Sequence, residues 1–332
     1  MEQSTPGKNI FFFHTISCMS RGKINGETMK HREREKILFI HGGALGDGIL
    51  SLPAIYAVRD AFPGAAITLI GHPERWKWVR PAPFEKILPL ERMSLERLFV
   101  PAGPIPPTLE ALLGEFRLAV SWHGNGDFEK NLLSFLRGTL LFRPFRPSAL
   151  TVHASDFFLN TLKPLGIPLA ADIPSLEAPP VPEPVPNLPA EPVILHPGSG
   201  SRLKCWPPEN FVRLAEMTER LLRRPCRFLI GEADRWILEE PSFRTPEMGT
   251  RVLMNLSLST VAAILKKGRA YVGNDSGISH MAAVLGIPAL VVFTATDPRI
   301  WAPRGRHVRV LRDRKGDLTA DTACKALKSI VS

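Results

Sequence analysis

One acid stands in a run of glycines. Gly42-Gly43-Ala44-Leu45-Gly46-Asp47-Gly48 separates an apolar segment from a helical one. Glycines there permit tight turns and close approach of a ligand to the backbone, and the helix start behind them favours negative charge. Asp47 at such a position could take a proton from a sugar hydroxyl, or it could serve as N-cap of the following helix. The loop is neither a dinucleotide fingerprint, since its glycines do not fit G-x-G-x-x-G, nor a Walker loop, which ends in G-K-[ST].

Two further stretches carry chemistry. In His196-Pro-Gly-Ser-Gly-Ser-Arg-Leu-Lys204-Cys-Trp-Pro207, Ser199, Gly200 and Ser201 offer hydroxyls and bare backbone N–H groups, and Lys204 offers a positive charge. Such a set could hold a diphosphate or be a solvated loop. In Gly273-Asn-Asp275-Ser276-Gly277-Ile-Ser-His280, a helix begins at Asp275, Ser276 and Gly277, so backbone donors and helix dipole together make an anion site that His280, one turn in, could reach. Capping by Asp or Ser and a half-buried His is the plainer alternative. Glu232, at a strand end in Gly231-Glu-Ala-Asp-Arg235, could bind ribose hydroxyls or be an ordinary exposed acid, the commoner case at a strand end. Residues 294–298 (TATDP) end at the same sheet edge.

The elements that must position these groups alternate. Residues 36–41 (KILFIH) form a short buried strand. Residues 48–62 form a helix with Leu52, Ile55, Val58 and Phe62 on one face and Pro53 near its start, where proline is tolerated. Residues 66–70 form the next strand, which makes a β-loop-α-β unit. Residues 116–121 read as a strand and 155–165 as a helix. Eight prolines between Pro174 and Pro192 mark an extended linker. Beyond it the alternation restarts, with strands at 192–196, 226–231, 270–274 and 288–293 and helices at 208–222, 258–268 and 278–286. The reactive loops of the second half all fall at carboxyl ends of strands, where open α/β sheets bind ligands. The expected organisation is an extension over 1–34, a first domain over 35–173, a linker over 174–191 and a second domain over 192–332. The C-terminal helix is expected to return onto the first domain.

Composition narrows the classes. The chain has 332 residues, enough for two cores, with 44% hydrophobic and 22% charged residues, as in soluble globular proteins. The net charge of +10 favours anionic partners. The basic residues are dispersed and no nucleic-acid motif is present, which argues against nucleic acid. Cys18, Cys205, Cys226 and Cys324 form no C-x-x-C pair, so no zinc signature exists and a reducing compartment is expected. No apolar run reaches the length of a membrane span. Residues 10–20 lack a clear cleavage site, which argues against a secretory signal. Met29 stands just before the first strong strand, so residues 1–28 read as a poorly ordered extension or an early start.

KILFIHGGALGDGILSLPAIYAVRDAFP, HPGSGSRLKCWPPENFVRLA and YVGNDSGISHMAAVLGIPALVVFTATDP, in this order, resemble glycosyltransferase family 9, the ADP-heptose:lipopolysaccharide heptosyltransferase family. The resemblance implies the α/β GT-B architecture, two Rossmann-like domains facing across a cleft. It implies inverting transfer of heptose from ADP-heptose to the lipopolysaccharide inner core. No metal or other cofactor is expected, and the chain holds no D-x-D triplet. By position, Asp47 matches the catalytic base, with Gly43, Ala44 and Gly46 on the acceptor side of its loop. Ser199, Gly200, Lys204, Asp275, Ser276, Gly277 and His280 match the positions that hold the diphosphate and sugar. Glu232 resembles a ribose ligand and Leu256 an adenine-pocket position. The implied partners are a nucleotide sugar and a phosphorylated glycolipid, met in the cytoplasm at the anionic face of the inner membrane. Arg75, Lys77, Arg80, Arg92 and Arg97 could meet acceptor phosphates or form a solvated surface. His41 departs from the residues often found before this loop. Alternatives are a different donor or acceptor within the family, or a non-catalytic nucleotide-sugar-binding protein.

Overall fold

The computed structural model describes residues 34–331 apart from 102, 171–175, 181–184 and 186. The expected 1–34 extension lies outside these residues but for Arg34, as do Pro174, Pro182, Pro184 and Pro186 of the proline-rich segment.

The first half runs β1 (Lys36–Ile40), α1 (Leu45–Ala61), β2 (Ala66–Gly71), β3 (Lys86–Pro89), α2 (Pro107–Leu113), β4 (Leu118–Ser121), α3 (Gly126–Phe135), β5 (Thr139–Phe142) and α4 (Ala154–Thr161). Its five parallel strands lie in the order β3-β2-β1-β4-β5. The second half runs β6 (Val193–His196), α5 (Pro208–Leu222), β7 (Cys226–Ile230), α6 (Met248–Arg251), β8 (Val252–Met254), α7 (Leu258–Lys267), β9 (Ala270–Asn274), α8 (Gly277–Val284), β10 (Ala289–Phe293), α9 (Pro298–Trp301), β11 (Val308–Arg312) and α10 (Ala320–Val331). Its six strands, also parallel, lie in the order β11-β10-β9-β6-β7-β8. In each sheet the chain winds outward from the first strand, then returns to build the other side. The direction therefore reverses between β1 and β4, and again between β6 and β9. A crevice opens at the carboxyl ends of the strands at such a reversal.

Alternation along the strands divides the core. Ile37 and Phe39 face one way and Leu38 and Ile40 the other, as do Ile194 against Val193 and Leu195. One face of each sheet joins a single apolar cluster that includes α1, α4 and α8. The other faces have separate cores. α1 packs on α4 within its own half and on α8 of the other half. It is buried on more than the one face expected: Ile49, Leu50, Ala54 and Tyr56 are covered as well as Leu52, Ile55 and Val58.

Three sequence expectations change. α1 begins at Leu45, so Pro53 is interior to the helix and not near its start. There it removes one backbone donor, and dense packing on several sides holds the helix together. The segment read as one helix over 155–165 ends at Thr161 and continues as a 3-10 turn, Lys163–Leu165, closed by Gly166 in the left-handed conformation. α10 does not return to the first half. It packs on α5 and the second sheet, and Ala323, Cys324 and Leu327 enter that sheet's outer core. Among the described residues, no helix is long and apolar enough to cross a membrane.

Candidate functional site

β1 delivers its chain into the first crevice. His41 follows the strand and is buried among Trp76, Trp122 and Phe158, with ring centroids 6.0, 5.7 and 5.8 Å away. Burial pushes its pKa down to about 4, so the ring is neutral. Its Nδ1 accepts from the Gly43 N–H at 3.1 Å. Gly43 must be glycine here: a Cβ would lie 2.6 Å from His41 Cε1 and 2.8 Å from Asp47 Cβ.

Asp47 is not the N-cap. Ala44 holds that position, and Asp47, in the first turn, accepts the Ala44 N–H at 2.9 Å. Its pKa is raised, first by burial, against the lowering effects of that hydrogen bond and of the Lys204 and Arg75 charges; Asp275 raises it further. Arg75 faces inward and donates to the carbonyls of Gly42 and Gly43, fixing the loop instead of meeting solvent anions. Beside these groups is a cavity of about 250 Å³ at the carboxyl ends of β1, β4 and β5, with His41, Asp47, Trp122, His123, Phe145 and Pro147 in its wall.

The second crevice is tied together by side chains the sequence did not single out. Asn274, fully buried at the end of β9, accepts the Trp206 N–H at 2.9 Å and donates to Pro197 O at 2.7 Å, joining the loops after β6 and β9. Asp234 is buried two residues past Glu232. Its Oδ1 accepts the N–H groups of Ser199 and Gly200 at 3.2 and 3.4 Å, and its Oδ2 lies 3.5 Å from His196 Nε2. The Asp234 carboxyl is held below its ordinary range: burial works against ionisation and is outweighed by His196 and the two loop N–H groups. The backbone donors of Ser199 and Gly200, expected to face a diphosphate, therefore face this carboxylate. Ser199 Oγ donates to Asp275 O at 3.0 Å.

Around α8, Ser276 is the N-cap; its Oγ accepts the Ser279 N–H and lies 3.3 Å from His196 Nδ1. Lys204 Nζ pairs with Asp275 Oδ2 at 3.2 Å, and Thr296 Oγ1 donates to the same oxygen at 2.6 Å. Lys204 remains over a third exposed. His280 is buried, and its pKa falls to about 4, chiefly through burial.

The two crevices meet because α1 and α8 approach through glycine. A Cβ on Gly46 would lie 3.3 Å from His280 Cδ2, and one on Gly277 would lie 2.9 Å from Leu45 Cβ. This contact brings Asp47 within electrostatic reach of Lys204 and Asp275. Asp47, Lys204, Asp275, Ser276, Gly277 and His280 thus gather at one place, with Gly43, Ala44 and Gly46 supporting Asp47 and Ser199 behind Asp275. Glu232 and Leu256 stand past the ends of β7 and β8; Glu232 is exposed and Leu256 half-buried. Such a gathering offers a carboxylate to take a proton from one side, and a cation with a helix N-terminus to receive negative charge on the other.

Residues 179–328 match the family model described as glycosyltransferase family 9 (heptosyltransferase). The match lies within the second half of the chain. That span holds Lys204, Asp234, Asp275, Ser276 and His280; Asp47 lies outside it. Over 120 residues the chain is 28% identical to lipooligosaccharide heptosyltransferase 2 of Haemophilus influenzae, a stretch covering 35% of this chain and 34% of that protein. The chain thus aligns with about a third of that relative's length. In structure it is similar to the family 9 glycosyl transferase of Veillonella parvula, with TM-score 0.69 and 18% identity over 90% of this chain and 97% of that one. It is also similar to the E. coli heptosyltransferase WaaC with ADP, with TM-score 0.62 and 18% identity over 89% and 99%. These likenesses establish the fold: GT-B, two Rossmann-like halves across a cleft. The second half carries the cation and the α8 N-terminus of the site, and the first half carries its carboxylate.

Proposed function

We propose that this protein is an inverting, metal-independent glycosyltransferase that moves a heptose from ADP-heptose to a glycolipid acceptor of the lipopolysaccharide inner core. The observation that carries the reading is the meeting of Asp47 from one half with Lys204, Asp275 and the α8 N-terminus from the other.

Asp47 takes the proton of the acceptor hydroxyl. The freed oxygen pair attacks the anomeric carbon from the first half's side, and the bond to the ADP oxygen breaks, its electron pair leaving with the diphosphate. Burial strengthens Asp47 as a base. The growing charge meets Lys204 and the N–H groups of Ser276 and Gly277, each such contact contributing about 2–4 kcal/mol to the transition state. Lys204 stands between two anions, Asp275 and the diphosphate, and offsets their repulsion. Asp234 sets the 198–200 loop that supports Asp275. Ordinary attachment at the cytoplasmic face of the membrane would be peripheral, with the +10 charge attracted to anionic lipid.

Calorimetric titration with ADP, UDP and GDP, in the presence of chelator, tests the nucleotide half of this reading. Selective binding of ADP that weakens at least about tenfold in Lys204→Ala is the expected result. Binding of another nucleotide in preference, or of ADP only with magnesium, would overturn it.

A further inference from the structure

His41, one of the residues lining the cavity beside Asp47, carries a polar group with nothing to bind. His41 Nδ1 is occupied by the Gly43 N–H, so its proton resides on Nε2. That Nε2 is buried and has no hydrogen-bond partner. Among the described residues three other buried side-chain atoms share this state, on Ser155, Thr218 and Arg269, and none of them lines this cavity. An unsatisfied buried donor is costly and calls for an explanation. His41 is one of the residues lining a cavity that also presents Asp47, and a ligand oxygen that reached the ring edge would satisfy this donor.

The remaining wall is poor in charge. Asp47 is the one Asp, Glu, Lys or Arg side chain lining it, and His41 is neutral. Burial also lowers the pKa of His123. Trp122, Phe145 and Pro147 supply apolar surface. Nearby cations are engaged elsewhere. Arg75 holds the Gly42 and Gly43 carbonyls, Lys77 pairs with Glu74, and Arg80 donates to Lys77 O and Val79 O. Arg143 lies over the Phe157 ring, 4.2 Å from its centroid. Arg146, exposed between Phe145 and Pro147, is the cation an anionic ligand could still recruit at the rim.

We infer that this cavity holds the reacting unit of the acceptor as an uncharged, polyhydroxylated sugar ring, with His41 Nε2–H donating to one of its oxygens beside Asp47. The ring's C–H face lies on the apolar wall and its hydroxyls meet His41 and Asp47. A carboxylate or phosphate on the same unit would be placed against Asp47 with no free cation in the wall, and is rejected by repulsion and desolvation. The inference rests on the glycosyl-transfer reading and adds that His41 helps select the acceptor.

Methyl mannopyranoside and its uronic acid share a ring and differ by one carboxylate, so they are suitable probes. Their binding to the whole protein with ADP present can be followed by the His41 imidazole nitrogen resonances and, in parallel, by ligand saturation transfer. The expected result is binding of the neutral glycoside at least about tenfold tighter than the acid. His41→Phe, similar in shape but without the donor, should weaken the neutral glycoside at least about tenfold while ADP affinity stays unchanged. His41→Gln, which keeps an N–H, should recover part of the loss, and Arg146→Ala should change nothing. Equal or tighter binding of the acid, loss of binding in Arg146→Ala, wild-type binding by His41→Phe, or no binding of either glycoside would overturn the inference. Failure to bind ADP in the same samples would instead remove the transfer reading and leave the sugar result standing.

Discussion

Asp47, the lone acid of its glycine loop, is not the N-cap of α1. A lone acid in a glycine loop before a helix was open to two readings, base or N-cap. It caps the Ala44 N–H from the first turn of α1 while its carboxyl lies in the cleft. Its pKa is raised by burial and held back by Lys204 and Arg75. The acid limb of kcat/KM, which reports the base of the free enzyme, should therefore lie above the ordinary Asp range. In Lys204→Ala it should move to still higher pH, because a charge favouring the carboxylate is gone. In Asp275→Asn it should move down. A pH–rate series on the three proteins measures this, and a limb indifferent to both substitutions would separate Asp47 from the titrating base. Histidines give a second, thermodynamic signature. His41 and His280 have folded pKa values of about 4, below the unfolded value near 6.5. The unfolded chain thus binds more protons in between. Stability from each is complete above about pH 6.5 and is lost as pH falls towards 4, by roughly 3 kcal/mol per histidine. Urea unfolding at pH 7 and pH 5 should show this loss, and it should shrink in His41→Phe.

At the scale of elements, central strands were legible and edges were not. β1, β6, β9 and β10 are buried on both faces and read as unbroken apolar runs. β3, β5 and β11 are edge strands with half-exposed residues, and β8 has three residues, so apolar runs do not reveal them. Loops at the ends of the legible strands were placed correctly, which is why Lys204, Asp275 and Ser276 could be named. Asp234 and Asn274 escaped because their work is to bind loops to one another, and that depends on contacts 35 and 77 residues away in sequence. The α1–α8 crossing was invisible for the same reason. It makes a prediction of its own. Gly277→Ala places a Cβ against Leu45 Cβ, Cγ and Cδ2 at 2.9–3.0 Å, and should cost about 1–3 kcal/mol in denaturant unfolding. Leu45→Ala removes two of those three atoms, so the double variant should recover part of the loss. Purely additive losses would mean that the crossing does not set the strain.

Over the whole molecule, the halves are joined by two kinds of contact with different consequences. The α1–α8 crossing is apolar, close and part of a continuous core, so it suits a fixed pivot. A second contact lies on α4 and is polar. His153 Nδ1 accepts the Ser155 N–H, leaving Nε2–H to donate to Ala302 O at 3.0 Å. Asp156 and Arg304 form a bidentate pair at 2.8 and 2.7 Å, and Phe145 of the cavity wall stands 6.2 Å from Trp301. The ion pair is about a third exposed on each side, so solvent screens it and its net worth is at most about 1 kcal/mol. A contact this weak and this specific in geometry can open without unfolding either half. Arg304→Ala should therefore raise hydrogen exchange at residues 153–156 and 301–304 while moving the thermal midpoint by only a few degrees. Exchanging the charges, Asp156→Arg with Arg304→Asp, should restore protection. A large fall in midpoint with unchanged local exchange would make the pair a structural prop. Local opening with little loss of stability would identify the α4 side as the edge at which the two halves part, next to the aromatic wall beside Asp47.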